Sequence, residues 1–243
     1  MSRPTHVYIV ASPRPRTGRT LLARALIEFF RADGRAVGGF DLDTMDSALA
    51  GFLPEVTSRA DIAGTRGQVA LFDQLIVDDE TPKVIDVSAH DYEAFFTVME
   101  QIGFAVEGPR QAVDPIVLFC ASTERQSVKA YARLRTRFPG IAVAPVYNDG
   151  VVRGHILRND FPATSETALP LHIPALSPSL RAIVDKWPFS FAEFRRRPPA
   201  DISELLVAEL RSWLKRVCLQ FREMELRLLL SNLRGTLGQP LRQ

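Results

Sequence analysis

The chain has 243 residues, a hydrophobic fraction of 46% and a charged fraction of 24%, which are ordinary values for a globular protein. This length allows one large α/β domain or two small ones. The net charge of +2 does not by itself indicate a polyanionic partner, and no apolar run approaches the roughly 20 residues of a membrane-spanning helix. Two cysteines form no disulfide framework and the N-terminus lacks a signal-peptide layout, so the sequence favours a reducing cytoplasm.

The first segment of the chain combines a strand, a turn-rich loop and a helix. Residues 5–11 are strand-like, and residues 21–30 carry apolar side chains at helical spacing. The loop between them ends in Gly18-Arg19-Thr20, close to the Gly-Lys-Ser/Thr ending of a phosphate-binding loop. In such a loop the glycine lets the backbone approach phosphate, the cation reaches the outer phosphates, and the hydroxyl binds Mg²⁺. The start of the helix adds N–H groups and a positive dipole end.

Two features distinguish this loop from the usual motif. Arg19 stands where lysine is usual, and arginine is bulkier and forked. Pro13 and Pro15 remove two backbone N–H donors. The alternative interpretation is therefore a strand-to-helix turn that binds no ligand.

The remaining chain alternates strands with helices as far as residue 174. Apolar runs predict strands over residues 36–43, 83–88, 116–121, 141–147 and 171–174. Helical spacing predicts helices over residues 67–76, 91–102 and 125–138, whereas residues 44–63 are mixed and residues 151–158 suggest a hairpin or short edge strand. This pattern predicts an α/β fold with a mainly parallel sheet covered by helices on both faces.

Polar residues end several of the predicted strands. Asp43 ends the second strand, Asp86 lies near the end of the third, and Asn148 follows the fifth. The carboxyl ends of parallel strands meet at one edge of the sheet, which is where ligands bind, so these side chains should lie beside the Gly18 loop. Asp86 beside Thr20 would suit a magnesium site, and Asp43 would suit orientation of a water. The alternative is that these acids cap helices, which is the commoner role at such junctions.

The set of motifs resembles the ParA/MinD family of P-loop ATPases, which carry a deviant loop of the form Lys-Gly-Gly-x-Gly-Lys-Thr. Residues 14–20 have the same register, with arginine at both lysine positions, and Pro15 and Arg16 stand where the family has two glycines. Asp41-Leu42-Asp43 matches the family's Asp-x-Asp strand end, and Val84-Ile85-Asp86 matches its Walker B strand. Ile173-Pro174 matches a late Ile-Pro segment, so the resemblance covers roughly residues 5–185.

The resemblance implies a P-loop NTPase fold, ATP and Mg²⁺ as cofactors, and a role in partitioning or positioning a cargo. It implies loop contacts to nucleotide from Arg14, Arg16, Thr17, Gly18, Arg19 and Thr20, with Asn148 near the adenine. It also implies Mg²⁺ binding by Thr20 and Asp86. Asp43 would be the hydrolytic acid of a slow ATP hydrolase. Arg14 would act across a nucleotide-dependent homodimer, and DNA binding stays open.

Two other function classes fit the same pattern. One is a small-molecule kinase or synthetase built on the same core. The other is a nucleotide-independent interaction protein with a decayed loop, which absence of nucleotide binding would favour.

The C-terminal part departs from the α/β core. Pro198-Pro199 breaks the chain, which predicts a P-loop NTPase-like domain over residues 1–197 and a helical segment over residues 198–243. Asp201 or Ser203 can cap a helix running to about residue 233. Its apolar seam alternates spacings of three and four: Val207, Leu210, Leu214, Val217, Phe221, Met224 and Leu228. The seam predicts packing on its own domain, association with a partner or second copy, or binding to a membrane surface.

Overall fold

The computed structural model describes residues 4–46, 48–153, 155 and 159–237, with side chains as far as residue 233. Its strands are β1 (Thr5–Ala11), β2 (Gly38–Asp41), β3 (Thr57–Arg59), β4 (Lys83–Val87), β5 (Val113–Cys120), β6 (Ala142–Asn148) and β7 (Leu171–Ile173). Its helices are α1 (Arg19–Ala32), α2 (Ala48–Phe52), α3 (Thr65–Leu75), α4 (Tyr92–Gln101), α5 (Phe104–Arg110), α6 (Arg125–Arg137), α7 (Asp149–Val152), α8 (Pro178–Val184), α9 (Phe191–Arg196) and α10 (Glu204–Leu237).

All seven strands form one sheet in the order β3-β2-β4-β1-β5-β6-β7, and every neighbouring pair is parallel. The predicted α/β fold class is therefore confirmed. The central strand β1 shows why the sheet is covered on both faces. Tyr8 and Val10 belong to a hydrophobic cluster with α1 and α10, whereas Val7 and Ile9 belong to a second cluster with α3, α4 and α6. Successive side chains point to opposite faces, so a fully apolar strand must be covered twice.

The long helix α10 packs on the first of these clusters. The seam residues from Leu210 to Leu228 are buried against α1 and β7, and Trp213 Nε1 donates a hydrogen bond to the Pro174 carbonyl over 2.7 Å. Ser203 begins the helix by accepting a hydrogen bond from the Leu206 N–H. The apolar seam is thus an internal packing surface of this chain.

The structure differs from the sequence-based expectations in several short elements. Val151 and Val152 belong to α7, so the predicted hairpin or edge strand is wrong there, while residues 154 and 156–158 lie outside the described residues. The short elements α2, β3, α5, α8 and α9 were not predicted from periodicity, because three to seven residues are too few to show a period. No helix among the described residues is long and apolar enough to cross a membrane.

Candidate functional site

A cavity of about 840 Å³ opens at the carboxyl ends of β1, β5 and β6. The chain leaves β1 towards one side of the sheet and leaves β5 towards the other, so the cavity lies at the point where the strand order reverses. Its lining comes from the loop after β1 and the start of α1, from the loop after β5, from the segment after β6, and from α8: Arg16, Thr17, Gly18, Arg19, Thr20, Leu21, Thr123, Gly150, Val151, Arg153, His155, Arg181 and Asp185.

The loop between β1 and α1 makes a tight turn. Arg16 and Gly18 both have positive φ angles, 59° and 86°. A side chain at position 18 would also collide with its neighbour, because a Cβ atom there would lie 2.2 Å from Asn148 Nδ2. No side chain caps the start of α1, and its first turn contains no acid. The positive end of this helix therefore faces the cavity with no acid in its own first turn.

Thr20 and Asp86 lie together, as the sequence predicted. The Thr20 hydroxyl donates a hydrogen bond to Asp86 Oδ2 over 2.6 Å, because α1 starts beside the carboxyl end of β4. Burial raises the pKa of Asp86 to about 6, while Arg19 and the Thr20 hydroxyl act in the opposite direction. Asp86 Oδ1 is buried and accepts no hydrogen bond from the described residues. A hydroxyl and a carboxylate with spare acceptor capacity fit Mg²⁺, which commonly takes one or two protein oxygens together with phosphates and waters.

Arg19 lines the cavity but turns its head towards the end of β4. Its Nη1 donates to the Val87 carbonyl and lies 3.9 Å from Asp86 Oδ1. The side chain is only 10% exposed. Arg19 therefore neutralises part of the buried Asp86 charge, and contact with a phosphate requires its guanidinium to swing away from the Val87 carbonyl.

Two other predicted site residues hold the loop in place. Arg14 Nη2 lies 2.8 Å from Glu124 Oε2, and its Nη1 donates to Gln126 Oε1 over 3.1 Å. Asn148 donates from Nδ2 to the Thr17 carbonyl over 3.3 Å and accepts from the Gly150 N–H over 3.0 Å. Asn148 is therefore a link between the loop and the segment after β6.

Strand β2 ends at Asp41, so Asp43 lies two residues beyond the strand rather than at its end as expected. Asp43 Oδ1 accepts the N–H groups of Met45 and Asp46 over 3.2 and 3.0 Å. Asp41 accepts the N–H groups of Asp43 and Ala50 over 3.0 and 2.9 Å, and so holds the start of α2. Burial raises the pKa of Asp41. Asp43 therefore holds a turn rather than the cap of a helix, which was the alternative interpretation, and it is not among the described residues that line the cavity.

The polar and charged cavity residues that were not identified from the sequence are Thr123, Arg153, His155, Arg181 and Asp185. Thr123 lies two residues after a predicted strand, so its place along the chain could have identified it. Arg153 and Arg181 gave no such signal, because arginines outside a motif are common on protein surfaces. Together with Arg16 and Arg19, these two residues make four arginines in the cavity lining. The lining also contains Asp185, whose carboxylate lies 3.7 Å from Arg181 Nε.

A scan of the chain against protein-family models finds no match, and a search among curated proteins finds none either. The functional interpretation therefore depends on the geometry of this site and on the sequence motifs.

Proposed function

We propose that this chain binds ATP with Mg²⁺ in the cavity and acts as a slowly hydrolysing ATPase of the ParA/MinD type. One observation carries the proposal: the start of α1, with Thr20 bonded to Asp86, opens onto a cavity lined by four arginines. A volume of about 840 Å³ is within the usual range for small-molecule sites. A cationic lining favours a polyanionic ligand, since one guanidinium group can donate two parallel hydrogen bonds to the oxygens of a phosphate.

In this proposal each loop residue has a definite task. The backbone of Thr17 and Gly18 and the start of α1 bind the phosphates, and Arg16 and Arg19 add positive charge. Thr20 and Asp86 hold Mg²⁺, whose charge offsets that of the phosphates. Arg19 moves from the Val87 carbonyl to the outer phosphates when nucleotide enters. Asp43 orients the attacking water, and the resulting cycle of binding and slow hydrolysis positions a cargo.

A second candidate function is a nucleotide-independent interaction protein. The observation that favours it is that the heads of both Arg14 and Arg19 already contact acceptors of their own chain. In that case the loop is a structural turn, and its arginines stabilise the edge of the sheet.

A binding titration separates the two candidates. Substitution Arg19→Ala should weaken the affinity for a fluorescent ATP analogue with Mg²⁺ at least tenfold, since a charge-assisted hydrogen bond contributes roughly 1.5–3 kcal/mol. Arg133→Ala is the matched control, because Arg133 is exposed and pairs with Glu93 away from the cavity. Arg19→Lys should bind within a few-fold of wild type, since it keeps the charge.

Thermal unfolding of each variant shows whether the fold is intact. Equal affinity in wild type and Arg19→Ala would refute the proposed phosphate contact. No binding by the wild type at millimolar nucleotide would favour the interaction protein.

A further inference from the structure

Helix α10 carries a second apolar face opposite its buried seam. Five leucines on it are between 39% and 58% exposed: Leu219, Leu226, Leu229, Leu230 and Leu233. We call this set the leucine stripe. Leu219, Leu226, Leu230 and Leu233 follow one another at spacings of seven, four and three, which is the repeat of a helix that packs along another helix. Exposed apolar surface of this regularity marks an interaction site.

The stripe is remote from the nucleotide cavity. The same part of α10 contributes Leu228, Ser231 and Asn232 to a groove that includes Val113 and Ala142, the first residues of β5 and β6. The stripe therefore lies near the amino ends of the strands, whereas the cavity lies beyond their carboxyl ends. A partner on the stripe would not compete with a ligand in the cavity.

We propose that the leucine stripe is a nucleotide-independent interface with a second copy of this chain, in which the two α10 helices run antiparallel. Glu223 and Arg227 border the stripe and lie 3.4 Å apart within one helix. If two helices cross antiparallel midway between these residues, each Glu223 faces the Arg227 of the second copy. The same register places Leu219 next to the second copy's Leu230.

The charges favour the antiparallel orientation. In a parallel pair the flank that carries Glu223 and Arg227 would lie beside the opposite flank of the other helix, so the two residues would not meet their counterparts. The antiparallel pair brings the same flanks together and makes both Glu223–Arg227 contacts attractive, which fixes register and direction more than affinity. The surface is thus complementary to itself, as a two-fold interface requires.

The expected dimer is weak. The exposed parts of five leucines amount to roughly 400 Å² per copy, so with their flanking side chains a pair reaches about 1,000 Å², at the low end of specific interfaces. We expect a dissociation constant on the order of 10 μM. This association differs from the nucleotide-dependent homodimer that the ParA/MinD resemblance implies, because it needs neither nucleotide nor Mg²⁺.

Sedimentation equilibrium of the full chain, without nucleotide and with a chelator, tests the proposal. The wild type should dimerise as its concentration rises through about 10 μM. Leu226→Gln with Leu230→Gln should weaken the dimer at least tenfold. The matched control is Leu205→Gln, because Leu205 is 78% exposed on the same helix but outside the stripe. Circular dichroism should show unchanged folding in all variants, since the replaced side chains are half-exposed or more.

Charge exchange tests the orientation. Glu223→Arg alone should weaken the dimer, and Glu223→Arg with Arg227→Glu should restore it, because only an antiparallel pair regains opposite charges. A double exchange that stays as weak as the single variant would overturn the antiparallel arrangement.

A wild type that stays monomeric throughout would overturn the interface. So would a dimer that the two glutamine substitutions leave unchanged. A monomeric wild type that co-sediments with phosphatidylglycerol vesicles, and loses this binding with Leu226→Gln and Leu230→Gln, would assign the stripe to a membrane surface instead.

Discussion

Asp86 is a carboxylate in the interior of an apolar sheet, and its position determines how it should respond to pH. Its side chain is 5% exposed, and burial raises its pKa from 3.8 to about 6. The folded state therefore holds the Asp86 proton more tightly than the unfolded state does. The contribution of Asp86 to stability is greatest below about pH 4 and is lost as the pH rises towards 6.

Asp86→Asn removes this titration. Between pH 4.5 and 7 the free energy of unfolding of the wild type should fall relative to that of the variant by about 2 kcal/mol. Urea unfolding of both proteins across this range measures the difference. Burial raises the pKa of Asp114 to about 6 as well, but Asp114 is present in both proteins and its effect cancels. A stability difference that does not change with pH would contradict the assignment.

Substitutions of Asp43 distinguish a role in catalysis from a role in the turn that follows β2. If Asp43 orients the attacking water, Asp43→Ala should keep nucleotide binding and abolish ATP turnover. The structure adds a matched control: Asp43→Asn keeps an oxygen for the N–H groups of Met45 and Asp46 but removes the negative charge. Both variants should lose turnover, as measured by phosphate release. Turnover equal to wild type in Asp43→Asn would show that the residue serves only the turn.

The position of a site residue could be predicted where it follows from a sequence motif or from the end of a predicted strand. The contact of Thr20 with Asp86 follows from a loop after β1 and an acid at the end of the adjacent strand β4, so the sequence predicted it. The partners of Arg14 were not predictable, because Glu124 and Gln126 lie more than 100 positions away and only the sheet order brings them close. Asn148 was expected beside the Gly18 loop from its place after β6, and it contacts the Thr17 carbonyl there.

Helix α1 illustrates tertiary interactions that periodicity does not reveal. Arg24 and Glu28 are both buried, one turn apart on this helix. Arg24 donates to the carbonyls of Val184 and Phe189, and burial lowers its pKa to about 10. Glu28 accepts from the Ser190 hydroxyl and from two N–H groups at the start of α9. Two charges inside an apolar helix face thus bind the segment between α8 and α9, which the sequence left without a structure.

Helix α10 was predicted within a few residues of its observed bounds. The apolar seam alone did not show whether the helix packs on its own domain, on another protein or on a membrane surface. The seam packs on α1 and β7, so it contributes to the stability of the whole sheet.

Trp213→Ala should lower the free energy of unfolding by about 3–5 kcal/mol, because Trp213 is 1% exposed and its removal would leave a large cavity. Leu205→Ala, on the exposed side of the same helix, should change stability by less than about 0.5 kcal/mol.

Removal of the chain after Pro199 extends this prediction to the whole helix. The truncated protein should be insoluble or unfolded, since it exposes the buried surface of α1 and β7. Solubility after expression and circular dichroism measure the outcome. A folded truncation that still binds nucleotide would show that residues 198–243 form a detachable segment.

At the scale of the whole molecule, the loop after β1 suggests a nucleotide-dependent dimer. Arg14 stands five residues before Arg19, in the register of the ParA/MinD signature lysine, so we propose that it reaches the phosphates of a second copy. Two facing ATP sites bring many negative charges together, and a cation donated across the interface offsets their repulsion only when nucleotide is present. Nucleotide therefore favours the dimer through its higher affinity for that state. Arginine can hold two phosphate oxygens at once.

In this proposal the Arg14 guanidinium must exchange its contacts within its own chain for the phosphates of the second copy. Arg14 is held by Glu124 and Gln126 of its own chain, so it must leave them before it crosses to a second copy. Arg14→Ala should therefore abolish dimerisation with a non-hydrolysable ATP analogue and Mg²⁺. Glu124→Gln should have the opposite effect and lower the nucleotide concentration needed, because it weakens the intramolecular ion pair. Sedimentation velocity of the three proteins, each also carrying Leu226→Gln and Leu230→Gln to silence the leucine stripe, measures both effects. Arg14 would have no role across the interface if the Arg14→Ala protein dimerised as well as its parent and Glu124→Gln changed nothing.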